Sequence, residues 1–173
     1  SVTNMDRMFY GAESFNQNIN TNGNLWNTRN VLSMEGMFAG ATSFNGDISN
    51  WNVENVNSFN SMFKNAESFN QDISNWNTGN VISMSYMFNG AKKFNKPLLW
   101  NTSSVEKMVG MFNGAESFNQ NVSTRIKSND KPFYFTSPGN PDVIWNVSNV
   151  DNMKRMFYNA KSFSNKIISL MTW

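Results

Sequence analysis

The 173-residue sequence contains neither cysteine nor histidine. Without cysteine there is no disulfide and no thiolate metal site. Without histidine as well, the usual nucleophile–base pairs are missing, and so are the zinc spacings built on those two residues. Charge is scarce: 14 Lys+Arg against 12 Asp+Glu leave a net +2, with 15% of residues charged. So weak a field does not point to nucleic acid or an anionic membrane as partner. No apolar run approaches the ~18 residues that would cross a bilayer, and no signal-peptide pattern opens the chain. No phosphate-cradling glycine loop of the G-x-x-x-x-G-K-[ST] kind is present. No catalytic, cofactor-binding or metal-ligating set emerges, and the chain is expected to be non-enzymatic and to need no cofactor.

The residues present in excess are unusual. There are 15 Phe, 12 Met and 6 Trp but only five Leu, and Asn is commonest with 32 copies. Such bias signals either disorder or a motif copied many times. An aromatic content of 14% argues against disorder, because that much apolar surface can be buried. The copies are evident. Val31, Met34, Met37, Phe38, Ala41, Phe44, Asn45, Ile48, Trp51 and Asn52 recur 25 residues later as Val56, Phe59, Met62, Phe63, Ala66, Phe69, Asn70, Ile73, Trp76 and Asn77. Six units start at residues 2, 31, 56, 81, 105 and 150, and about twenty extra residues, Ser123 to Ile144, interrupt the fifth. The whole of 1–173 then forms one repeat domain. Because the chain opens inside a unit, it is expected to be part of a longer protein.

Each unit can be read locally. Val, Met, Met and Phe at offsets 0, 3, 6 and 7 fall within an arc of about 120° at helical periodicity. An Asn or Ser precedes every Val, as helix N-caps do. Gly11, Gly40, Asn65, Gly90, Gly114 and Asn159 stand two after each Phe, where a left-handed residue ends a helix. The I-x-x-W-N-[VT] segment alternates like a short strand. The expected fold is therefore an α/β repeat solenoid of ~25-residue units with one short helix and one short parallel strand per unit. The Phe ladders should lie in the core. The Trp ladder either joins them or forms a stacked surface for sugar rings. The repeated Asn residues suit backbone-serving turns.

The strings MFNGAESFNQNVS and FNQDISNWNTGNVISMSYMF, with their ~25-residue period, resemble the DUF285 repeats, the BspA-like leucine-rich repeats of mycoplasma-type bacterial surface lipoproteins. That resemblance implies a leucine-rich-repeat-like right-handed coil and an extracellular or cell-surface location, lipid-anchored through a segment outside this chain. It also implies adhesion to a host or matrix component, or antigenic display. It carries no catalytic residues.

Function in a repeat protein is best sought where the pattern breaks. The insertion places Arg125, Lys127, Phe133, Tyr134 and Phe135 on a Pro-rich excursion, a candidate binding loop that would otherwise fold back over the array. Lys92, Lys93 and Lys96 form a small basic patch. Asp47 and Asp72 share one position, which more readily makes a solvated row than a glycosidase pair. These features lead to a binding or adhesion module for a protein or glycan, with self-association expected through open array ends. A display protein without a dedicated ligand is the alternative.

Overall fold

The structure, a computed structural model, describes residues 1–20, 26–120, 123–124, 134–137 and 140–163. A line of parallel bridges joins one residue from every unit: Asn4 to Ser33, Ser33 to Ser58, Ser58 to Ser83, Ser83 to Lys107, and Lys107 to Asn152. Each lies two residues after the Val of its unit, so the units stack in register. We number them coils 1 to 6 from the N-terminus.

The helix expected in each unit is not there. Among the described residues there is no helix and no parallel strand, so the leucine-rich-repeat-like α/β class is wrong. The reason lies in the backbone hydrogen bonds of the Val–Met–Met–Phe segment. In coil 2, Met37, Ala39 and Ala41 donate to Met34, Gly36 and Phe38, three residues back. The alternate donors Met34, Gly36, Phe38 and Gly40 reach instead to Ser58, Asn60, Met62 and Lys64 of coil 3. An α-helix would need every donor directed four residues back along its own axis. Here half are committed sideways, and the segment becomes a series of tight turns.

Two positive-φ residues per coil make those turns. One is the Gly or Asn expected to stop a helix, such as Gly40 (φ 76) or Asn65 (φ 58). The other falls four residues earlier, inside the expected helix: Arg7, Gly36, Ser61, Tyr86, Gly110 and Arg155, at φ 55 to 58. A left-handed conformation costs an L-residue roughly 1–2 kcal/mol and cannot be part of a right-handed helix. The Asn and Ser residues before each Val are not helix caps either. The side chains of Asn55, Asn80, Ser104 and Asn149 donate to carbonyls of the preceding coil, at 2.7–2.8 Å.

Stacking offsets that backbone cost. Phe38, Phe63 and Phe88 are fully buried, and their rings lie 5.7 and 5.6 Å apart, nearly parallel. A second ladder, Phe44, Phe69 and Phe94, runs beside it at 6.0 and 5.9 Å. Within a coil the two rings touch, at 3.8 Å for Phe63 and Phe69. Burying each Phe contributes about 1.5–3 kcal/mol. The Trp ladder belongs to the same interior. Trp51, Trp76, Trp100 and Trp145 are buried, and each indole N–H donates to the carbonyl of Ile19, Ile48, Ile73 or Leu98 on the coil before. These rings are therefore not a surface for sugars.

Among the described residues, the strands occur only where the fifth unit is interrupted. β1 (Ser123–Thr124), β2 (Tyr134–Ser137) and β3 (Asn140–Asn146) form an antiparallel sheet in the order β1-β2-β3. β3 ends on Trp145 and Asn146, which return the chain to the stack.

Candidate functional site

Of the expected site residues, Lys92, Lys93, Lys96, Tyr134 and Phe135 are among the described residues. Arg125, Lys127 and Phe133 lie outside the described residues. Tyr134 and Phe135 belong to β2, where they pair with Asn146 and Trp145. The insertion thus carries a sheet joined to the Trp side of the array, and not an irregular loop at these two residues. One lysine of the basic patch is paired. The Lys92 ammonium lies 2.7 Å from Glu67, and that hydrogen bond holds it above the ordinary lysine value. Lys96 acts on the Asp72 carboxyl, and Lys93 is exposed.

The repeated polar residues serve the backbone. The Asn45, Asn70 and Asn95 side-chain oxygens accept the backbone N–H of Asn70, Asn95 and Asn119 on the next coil, at 2.8–2.9 Å. Asn27, Asn52, Asn77, Asn101 and Asn146 accept from the backbone two residues on. Asp47 and Asp72 do the same with Ser49 and Ser74. The Ser49 backbone N–H holds the Asp47 carboxyl below its usual value, and hydrogen bonds from Ser74 do so for Asp72. Among the described residues no group of three or more Asp or Glu side chains could hold a metal ion.

The surface with side chains left over is the one that the positive-φ residues create. Two rows run along it, with Gly36, Ala39 and Gly110 buried in them. The first holds Arg7, Gly36, Ser61, Tyr86, Gly110 and Arg155, and the second Tyr10, Ala39, Lys64, Asn89, Asn113 and Tyr158. Three of the four tyrosines are here, and all three are exposed, at 66%, 39% and 58% for Tyr10, Tyr86 and Tyr158. Each has a cation at hand. The Lys64 ammonium stands 5.8 Å from the Tyr86 ring centre, the Arg155 guanidinium 5.8 Å from that of Tyr158, and Arg7 lines the same hollow as Tyr10. Tyr86 and Arg7 are seated by glycine on the next coil. A Cβ at Gly110 would meet the Tyr86 ring at 2.8 Å, and one at Gly36 would meet the Arg7 stem at 3.4 Å.

Coil 2 carries the smallest pair in these rows, so a hollow opens above it. Its volume is about 410 Å³, and Arg7, Tyr10, Glu13, Glu35, Asn60 and Lys64 surround a floor of Gly36, Ala39 and Gly40. Glu35 is held in place: its carboxylate accepts the Ser58 hydroxyl at 2.6 Å, and its backbone N–H donates to Asp6 at 2.7 Å. Asp6 also accepts from the Ser33 hydroxyl at 2.6 Å. Burial pulls its carboxyl upward, but these bonds and one from Asn4 outweigh burial and leave it below the ordinary value. Sequence reasoning passed over both rows. The available signal was variation: between fixed Met and Phe positions, one site reads Arg, Gly, Ser, Tyr, Gly, Arg.

A family model described as "Mycoplasma protein of unknown function, DUF285" matches residues 1–99 and again 75–173. The chain belongs to the DUF285 family. The two overlapping matches take in every DUF285 coil described above, including both sides of the interruption. No curated protein and no solved structure matches the chain. Among the described residues, no helix is long and apolar enough to cross a membrane.

Proposed function

We propose that this DUF285 chain is a non-enzymatic cell-surface module that binds a host or extracellular macromolecule, of the BspA-like lipoprotein type, anchored through a segment outside this chain. The supporting observation is the tyrosine–cation face. Tyr and Arg are the residue types that dominate binding surfaces. Here they emerge from two rows on one side of an otherwise Asn- and Ser-rich exterior, each seated on a coil of the stack. A rigid scaffold that presents such groups on coils 1, 4 and 6 suits an extended partner.

The test uses the intact chain against immobilised matrix proteins and glycans of defined composition. It compares the parent with a Tyr10→Ala, Tyr86→Ala, Tyr158→Ala triple variant. The side chains are exposed, so the variant should melt as the parent does. Binding should fall at least about tenfold, as expected for hot-spot residues. Equal binding by both chains refutes the assignment of the face. Absence of any ligand across the panel favours a display protein without a dedicated partner.

A further inference from the structure

Resting on that reading, we infer that the hollow above coil 2 is a carbohydrate site that takes a short neutral oligosaccharide. Its volume of about 410 Å³ lies in the range of small-ligand sites, roughly 300–1,000 Å³. Its charge is balanced, with Arg7 and Lys64 against Glu13 and Glu35, so it has no preference for an anionic or cationic ligand. What the lining does have is donors and acceptors side by side. Guanidinium and ammonium only donate, carboxylates only accept, and the Asn60 and Asn65 amides do both. A sugar presents adjacent hydroxyls that must donate and accept at once, and this mixture satisfies them. The Tyr10 ring, two-thirds exposed, supplies the flat apolar surface on which the C–H face of a pyranose can lie.

A peptide fits less well. Peptide addition to an edge needs free main-chain groups, yet the donors of Met34, Gly36, Phe38 and Gly40 are all bonded to coil 3. A side-chain anchor needs an apolar pocket, and the floor offers two glycines and the Ala39 methyl group. The site is also prearranged. Gly36 seats the Arg7 stem and the edge of the Tyr10 ring, 3.4 and 4.0 Å from where a Cβ would stand, and Ser58 fixes Glu35.

The repeat provides its own filling variant. Asn89 and Asn113 occupy the Ala39 position on other coils, so Ala39→Asn is compatible with the backbone and fills the hollow. The intact chain is titrated calorimetrically with neutral di- to hexasaccharides of hexose and N-acetylhexosamine, with acidic oligosaccharides, and with the matrix proteins of the panel above. A neutral oligosaccharide should bind. Ala39→Asn and Tyr10→Ala should each weaken it about tenfold or more, a loss near the upper end for one aromatic contact. Lys92→Ala, outside the hollow, should bind as the parent does. Three results overturn the site: no neutral oligosaccharide binds, only acidic ones bind, or binding survives both variants. If a matrix protein binds instead and the triple tyrosine variant abolishes it, the ligand class is wrong while the binding-module reading stands. If nothing in either panel binds, both fall.

Discussion

Thr28, Thr78 and Thr102 occupy one position of the repeat, and all three are buried, at 2%, 1% and 0% exposure. The hydroxyls of Thr78 and Thr102 donate to the carbonyls of Asn101 and Asn146 on the next coil, at 2.8 and 3.0 Å. The Thr28 hydroxyl has no partner among the described residues. Coil 2 carries Val53 at the same place, 2% exposed, so the site accepts an isopropyl group without strain. Threonine-to-valine substitution should therefore have opposite signs on two coils. At Thr28 it removes a buried hydroxyl that gains nothing in return, and such burial costs about 1–3 kcal/mol in proteins. Stability should rise by about 1–2 kcal/mol, or about 3–6 °C in melting temperature for a chain of this size. At Thr78 the same substitution deletes a satisfied bond and should cost about 0.5–1.5 kcal/mol. Urea melts followed by tryptophan fluorescence would measure both, since the Trp ladder lies in the interior. Loss of stability in Thr28→Val, or the same sign in both variants, refutes the reasoning.

Phe63→Ala should cost about 3–5 kcal/mol, because Phe63 touches rings on three sides, Phe38, Phe69 and Phe88; urea denaturation that finds under 1 kcal/mol contradicts the shared interior. Gly46→Gln restores the residue found at Gln17, Gln71 and Gln120, yet it should destabilise by about 1–3 kcal/mol, because a Cβ there collides with the Gln17 carbonyl and meets the Phe44 ring at 2.9 Å; an unchanged thermal melt speaks against this crowding. Asn70→Ala removes the acceptor for the Asn95 backbone N–H and should cost about 1 kcal/mol, with faster hydrogen exchange at Asn95 as the direct readout. Asp47 and Asp72 have folded values below the ordinary carboxylate value of about 3.9. Their stabilisation is therefore complete above that pH and lost as pH falls through the lowered values; melts between pH 5 and 2 should show this, and an Asp47→Asn, Asp72→Asn double variant should flatten the slope.

Periodicity was sufficient to locate the interior. Phe38, Phe44, Ile48 and their counterparts are identifiable because a coil that cannot bury its own apolar side must repeat the same inward residues at the same spacing. The Gly and Asn residues two after each Phe were also identifiable as left-handed positions, since those two residue types tolerate that conformation. The same residues were compatible with a helix that stops there, and here local reading failed. Inward residues at offsets 0, 3, 6 and 7 fit a helical arc and equally fit a chain of tight turns.

Only the stack decided between them. The donors of Gly36, Phe38 and Gly40 take partners some 24 residues away, and no local pattern records a bond that exists only when another coil is alongside. The neighbouring coil also holds Arg7, Ser61, Tyr86 and Arg155 in a backbone conformation that their own side chains disfavour. The candidate site follows the same logic. Gly36 and Ala39 are unremarkable as letters, and they form the floor of a hollow only because coil 1 sets Arg7 and Tyr10 on one side and coil 3 sets Lys64 on the other.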